Sequence, residues 1–399
     1  MTLPFLPYGQ QEITDADKQA VLAALDDPYL TTGPKVGEFE CAFAGYVGSR
    51  EAVAVSNGTA ALHIAALAAG IKPGDKVLAS TMSFAASANG AAYAGAEIVF
   101  MDCDPDTGLT TVENFVEAAE RAGNAKMAVV VHLNGEHAEM AQIAREAEKR
   151  NIILVEDSCH ALGTQFQDEN GETCKVGQCR YSAMSTFSFH PVKTMTTGEG
   201  GMITCNDSDL AGKLRKLRTH GIERDADAMQ DAGLALDKHG FPNPWYYEMQ
   251  ELGYNYRLTD IACALGLSQL GRMDDIVDKR RKLKAIYDDL LRDTNLPLMP
   301  VKTADGINPA RHLYPLLIDY EAVGIDRSAV MKGLREQGIG TQVHYIPTHL
   351  QPWYCRQNPG LKLRGAEHYY ERTLSMPFFA KMSDSDPQRV IEAVRNVIG

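Results

Sequence analysis

Between residues 52 and 189 the chain alternates short apolar runs with stretches of helical period, and no other feature constrains its fold so tightly. The runs at 52–55, 77–80, 98–101, 127–133, 152–155 and 182–189 read as strands, and strands that alternate with helices build a mostly parallel sheet covered on both faces. Met140, Ile143, Ala144 and Ala147 share one helical face while Arg145, Glu146, Lys149 and Arg150 turn outward, the pattern of a crossover helix. Leu210, Leu214 and Leu217 make another stripe, with Asn206, Asp207 and Ser208 as candidate caps. The segment 222–250 breaks the rhythm: it is rich in Asp, Gly and Pro before Trp245, Tyr246 and Tyr247, and reads as a long functional loop. Beyond it, Ile276, Leu283, Ile286, Tyr287, Leu290 and Leu291 predict an extended helix leading into a second unit. That unit is closed by a helix carrying Val330 and Leu334, a strand over 341–345 and a final helix after Pro387. The expected division is a large domain over 1–265 and a smaller α/β domain over 266–399.

Charge and cysteine usage narrow the function classes. Lys and Arg number 39 against 52 Asp and Glu, a formal charge of −13, which opposes non-specific binding to nucleic acid. The first residues carry no basic start or long apolar core, and no stretch reaches the roughly 18 apolar residues of a membrane helix, so a cytoplasmic protein is expected. The eight cysteines show no paired framework and read as reduced thiols. Cys174 and Cys179 alone are too few for a structural zinc site, and no metal is expected.

Three features carry chemistry. The first is Phe187-Ser188-Phe189-His190-Pro191-Val192-Lys193, which continues to Gly198-Glu199-Gly200-Gly201: a lysine in a tight, glycine-rich turn after a strand. A loop lysine is usually just solvated, but a partly desolvated amine at a strand end has its pKa lowered enough to form a Schiff base. The second is the apolar run ending in Glu156-Asp157. Acids end many strands, yet pyridoxal phosphate requires a carboxylate at its ring nitrogen, and Asp157, nearer the carboxyl end, is the better placed of the two. The third is Ser56-Asn57-Gly58-Thr59-Ala60 between a strand and a helix, where unpaired N–H groups and the dipole can hold a phosphate, although an ordinary helix cap looks the same. Their coincidence in one chain, in an order compatible with one sheet edge, tips the balance toward pyridoxal 5'-phosphate.

These residues, with Leu30-Thr31-Thr32-Gly33-Pro34, Ser83-Phe84-Ala85-Ala86-Ser87-Ala88-Asn89, Asp157-Ser158-Cys159-His160, Gly253-Tyr254-Asn255-Tyr256-Arg257-Leu258 and Val343-His344-Tyr345-Ile346-Pro347, resemble the DegT/StrS family of sugar aminotransferases over almost the whole chain. The resemblance implies the pyridoxal-phosphate-dependent aspartate aminotransferase fold (fold type I): a mostly parallel sheet flanked by helices, with a smaller C-terminal α/β domain. It implies that Lys193 holds the cofactor as an internal aldimine and moves the proton, that Asp157 pairs with the ring nitrogen, that Phe84 stacks on the ring and that His160 lies beside it. Ser188 and the amides of Gly58, Thr59 and Ala60 would bind the phosphate, and Asn255 would reach the same phosphate in the partner subunit, making a homodimer. Phe84 as a core residue, His160 as a buried structural histidine and Asn255 as a turn residue are the bland alternatives.

For the substrate, the resemblance places Tyr8, the turn Leu30, Thr31, Thr32, Gly33 and the segment His344, Tyr345, Ile346, Pro347 around a nucleotide sugar. Free amides near Thr32 and Gly33 are expected to bind diphosphate. His312 and His349 are left open between structure and site. The likeness is greatest to members that use glutamate, released as 2-oxoglutarate, to aminate C4 of a UDP-linked 4-keto-6-deoxy-N-acetylhexosamine in pseudaminic acid or related amino-sugar biosynthesis. Amination of GDP- or dTDP-linked sugars at C4 or C3 is the nearest alternative. Asn134, in His132-Leu133-Asn134-Gly135, departs from the Tyr or Ala that relatives often place there. Dehydratases of the family carry histidine in place of the lysine, so Lys193 argues against that activity. The charge argues against a regulator, and the missing Gly-x-Gly-x-x-Gly turn argues against a dehydrogenase.

Overall fold

The computed structural model describes residues 4–292 and 294–399. Strands β1 (Glu51–Val55), β2 (Lys76–Ser80), β3 (Glu97–Met101), β4 (Ala125–Val131), β5 (Ile153–Asp157), β6 (Met184–Ser188) and β7 (Gly201–Cys205) form one seven-stranded sheet in the order β1-β7-β6-β5-β4-β2-β3. The pairs β3·β2, β2·β4, β4·β5 and β5·β6 are parallel, while β7 runs antiparallel to both β6 and β1. The six apolar runs read from the sequence all lie in this sheet. β7 was not among them, because it starts inside the glycine-rich stretch that follows Lys193. Ser188 pairs with Gly201, so residues 189–200, with Lys193 among them, are the loop of a β6–β7 hairpin.

Alternate residues of the central strands feed two separate cores. Val77, Ala79, Val129, Val131 and Val155 face the helices Gly58–Ala68 and Ala86–Tyr93, whereas Leu78, Ala128, Val130 and Leu154 face Val112–Ala122 and Met140–Lys149. Being buried on both faces, the strands read as continuous apolar runs. The expected crossover helix is Met140–Lys149, and the capped helix after Asn206 is Ser208–Arg218, with Asp207 as its N-cap.

A second core lies under β8 (Leu298–Pro300), β9 (Tyr314–Ile318) and β10 (Thr373–Met376), an antiparallel sheet packed with Met273–Arg292, Arg327–Glu336 and Asp386–Ile398 through Leu283, Tyr287, Leu334, Val390 and Val394. Residue 265 falls inside the helix Asp260–Leu270, which packs against Asp15–Leu25 and Pro34–Val47.

One local expectation is corrected. The segment 341–345 is not a strand: only Gln342 bridges Ser375, and the chain then turns so that His344 and Tyr345 face a cavity rather than a sheet neighbour. The segment 222–250 is a loop closed at its base, where Ile222–Glu223 pairs antiparallel with Glu248–Met249. Among the described residues no helix is long and apolar enough to cross a membrane.

Candidate active site

The carboxyl ends of the parallel strands bring Asp157 (β5) and Ser188 (β6) to one edge of the sheet, beside the turn Asn57-Gly58-Thr59 that follows β1. Open α/β sheets bind ligands at that edge. A cavity of about 900 Å³ opens there, and Gly58, Thr59, Ala60, Phe84, Asp157, His160, Ser188 and Lys193 all line it, together with Tyr8, His344, Tyr345 and Ile346.

Burial pushes the Lys193 amine below the usual lysine range, against the opposing pull of Cys159 and Asp157. Desolvation disfavours its charged form, which is what a nucleophilic amine needs. Asp157 is 5% exposed. Its Oδ2 accepts from Ser87 Oγ at 2.5 Å and its Oδ1 from the Cys159 amide at 3.2 Å, and Ser87 is bonded in turn to Ser83. This serine relay was missed in the sequence. Its signal is a Ser pair spaced i, i+4 across the start of the helix Ala86–Tyr93, which places both hydroxyls on one side. Phe84 is 63% exposed, so it is a wall of the cavity and not a core residue.

At the phosphate cradle, Ser188 Oγ accepts only a long 3.4 Å bond from the His190 amide, leaving its proton free for a ligand. A Cβ on Gly58 would lie 2.9 Å from Ser188 Cβ, so only glycine leaves this space open. One expectation fails: the Ala60 amide already donates to Asn57 Oδ1 at 2.8 Å as the helix cap, so Ala60 supplies wall and not a donor. The Gly58 and Thr59 amides make no such bond among the described residues.

Three buried histidines meet in the cavity. His160 Nδ1 accepts from the Asn134 amide at 3.4 Å, and its Nε2 lies 3.0 Å from Tyr345 Oη. His312 lines the cavity with its ring tilted 53° against that of His160 at 4.5 Å, and His344 Nδ1 is 2.9 Å from Ser375 Oγ. Burial holds all three neutral: His160 and His312 well below the usual imidazole range and His344 down to about 3, with the Lys193 charge adding to each. His349 is outside the cavity lining, with its Nδ1 2.7 Å from Thr81 Oγ1.

His132, His137 and Glu156 form a buried cluster of metal-ligand types. The Ala138 amide donates to His132 Nδ1 at 3.2 Å, so a neutral His132 carries its proton on Nε2, where it donates to Glu156 at 2.8 Å and keeps no lone pair for an ion.

Some expected residues lie elsewhere. Leu30, Thr31, Thr32, Gly33, Pro347 and Asn255 are outside the lining of their own chain's cavity. The amides expected to be free near Gly33 are not: Gly33 N–H donates to Asp260 Oδ2 at 2.9 Å and Lys35 N–H to Asp260 Oδ1 at 3.0 Å, because this carboxylate caps the helix Pro34–Val47. Thr31 also bridges Thr259, and Asn255, earlier in the same segment, is exposed and bridges Thr219.

The family model for DegT/DnrJ/EryC1/StrS aminotransferases matches residues 11–395. The chain belongs to this aminotransferase family. It is 37% identical over 398 residues to the spore coat polysaccharide biosynthesis protein SpsC of Bacillus subtilis (strain 168), covering 99% of this chain and 97% of SpsC. It is 34% identical over 394 residues to the UDP-4-amino-4,6-dideoxy-N-acetyl-beta-L-altrosamine transaminase of Campylobacter jejuni subsp. jejuni serotype O:23/36 (strain 81-176), covering 98% and 97%. Among solved structures it resembles Helicobacter pylori PseC, an aminotransferase involved in the biosynthesis of pseudoaminic acid, with a TM-score of 0.86, 27% identity and 99% of each chain covered. The fold is that of the fold type I pyridoxal phosphate enzymes, and the cofactor of the family is pyridoxal 5'-phosphate. The cavity fits it: an amine loosened from its proton, a buried carboxylate and an N–H-rich helix start that one added methyl would fill all line the same space.

Proposed function

We propose that this aminotransferase moves the amino group of glutamate to C4 of a UDP-linked 4-keto-6-deoxy-N-acetylhexosamine, in pseudaminic acid or related amino-sugar biosynthesis. The observation that carries the reading is the convergence of Lys193, Asp157, Ser188 and the Gly58 turn on one cavity that also has a polar aromatic wall of Tyr8, His344 and Tyr345. The names of the Campylobacter transaminase and of PseC support the choice of sugar.

Pyridoxal phosphate supplies an electrophilic carbonyl and a ring that accepts the electrons left when carbon loses a proton. Lys193 would hold the cofactor and, once released from it, would take and return the proton at the reacting carbon through Nζ. Asp157, oriented by Ser87 and the Cys159 amide, would pair with the ring nitrogen. Gly58, Thr59 and Ser188 would hold the phosphate, Phe84 would cover the ring, and Tyr8, His344, Tyr345 and Ile346 would orient the sugar and displace water.

The reading extends to a cytoplasmic homodimer. Leu30, Thr31, Thr32 and Asn255 are exposed and, with Gly33, lie outside the lining of their own cavity, and in a pair of protomers each chain would complete the other's site. The division into a large and a smaller unit is supported by the core under the C-terminal antiparallel sheet, although Val301, Leu317, Tyr354, Leu363, Ala366 and Tyr369 pack into the core of the seven-stranded sheet. The test is incubation with glutamate and a panel of UDP-, GDP- and dTDP-linked 4-keto sugars, with products identified by mass spectrometry. Amination of the UDP sugars alone is expected; amination of only the GDP or dTDP sugars would overturn the substrate.

A further inference from the structure

Asn134 has the left-handed backbone (φ 61°, ψ 0°) that Asn and Gly tolerate best, and its side-chain amide is tied to Tyr369 Oη at 3.1 Å. Both main-chain polar groups of Asn134 serve the cavity histidines. Its N–H donates to His160 Nδ1 at 3.4 Å, and its carbonyl accepts from the His312 amide at 3.0 Å. A neutral His160 whose Nδ1 accepts a proton must carry its own on Nε2, and Nε2 lies 3.0 Å from Tyr345 Oη. Lys193 and His344 oppose a second proton on His160, whose ring also faces those of His312 and Tyr345.

The Tyr345 oxygen therefore accepts from His160, and its own O–H must find an acceptor elsewhere. Asp157, Tyr8, Cys159 and Tyr369 face it. Asp157 is the one carboxylate among them, and its oxygens bond to Ser87 and the Cys159 amide without Tyr345. Among the described residues no group of the chain takes the Tyr345 proton, and the ring lines the cavity.

We infer that Asn134 is a positioning residue: its left-handed main chain fixes His160 as the Nε2–H tautomer, which turns the Tyr345 hydroxyl proton into the cavity as a donor to an oxygen of the bound ligand. The acceptor is either the ring oxygen of the cofactor or the ketone oxygen of the sugar. The inference rests on the aminotransferase reading above.

The experiment uses cofactor-loaded, 15N-histidine-labelled protein. First, glutamate must convert the cofactor's absorption to that of its amine form; if it does not, the functional reading fails rather than this inference. Next, the His160 15N shifts, assigned with His160→Gln, are expected to show a bare Nδ1 and a protonated Nε2. Asn134→Gly, which keeps the backbone geometry, is expected to preserve that pattern, and Asn134→Val to lose it. Tyr345→Phe separates the two acceptors and does not depend on the Val variant folding. With the cofactor oxygen as acceptor, the pKa seen in the cofactor's absorption is expected to rise by about one unit, because a donor to that oxygen stabilises its negative charge. With the ketone as acceptor, that titration stays put and kcat/KM for the keto sugar falls about 10- to 100-fold, well beyond any loss in the glutamate half-reaction. A His160 protonated on Nδ1, or a Tyr345→Phe variant that changes neither quantity, would overturn the inference.

Discussion

Lys193 and Asp157 do their work because of what surrounds them. Desolvation lowers the affinity of the lysine for its proton, and the Lys193→Ala variant is expected to lose about a thousandfold or more in amino transfer, read by single-turnover loss of the amine-form absorption. The buried histidines make a pH argument with a definite sign. His344 titrates near 6.5 when unfolded and near 3 in the folded chain, so between those values the unfolded chain binds the additional proton and stability is lost as pH falls. The slope from this residue is about 1.4 kcal/mol per pH unit at most. Urea midpoints measured from pH 7 down to pH 4 are expected to fall less steeply for His344→Asn than for the parent. At this scale the acid was legible because it ends an apolar strand, and the lysine because it lies in the glycine-rich turn that follows one. Ser87 and His312 were not, because their roles come from contacts across the fold, to Asp157 and to His160.

The turn from β1 into the helix Gly58–Ala68 does two jobs with one short segment, capping itself through Asn57 and leaving the Gly58 and Thr59 amides for an anion. Gly58→Ala pushes a methyl group into Ser188, and its equilibrium dissociation constant for pyridoxal phosphate is expected to rise about tenfold or more, measured by fluorescence titration of the apoprotein. An unchanged constant would remove Ser188 and this turn from the cradle. The parallel strands announced themselves as unbroken apolar runs because both of their faces are covered. β7, which is equally buried, was hidden by the glycines at its start, and the 341–345 segment has strand-like composition but spends its aromatic side chains on the cavity. Composition could not separate those cases; only the presence or absence of a sheet neighbour does.

Across the whole molecule, the order of the motifs along the chain was enough to anticipate one sheet with one reactive edge and a second core after it. What the sequence did not disclose is which expected residues share a cavity within one protomer. Asn255 and the turn at Thr32 lie apart from Lys193 in the folded chain, a relation set by how Thr31 and Gly33 dock on Thr259 and Asp260. If two protomers complete each other's sites, Asn255→Ala is expected to weaken cofactor retention about tenfold while leaving the dimer mass seen by light scattering intact. Retention equal to the parent would confine Asn255 to its own turn.

The β6–β7 hairpin ties both ends of the lysine-bearing loop to neighbouring, fully paired strands. Its ends are joined before any ligand arrives, so little chain entropy remains to be lost there. The loop's reach is thus set by the sheet, and cofactor capture is expected to show binding followed by bond formation at Lys193 with no slow folding phase, read as the absence of a lag in absorbance after mixing.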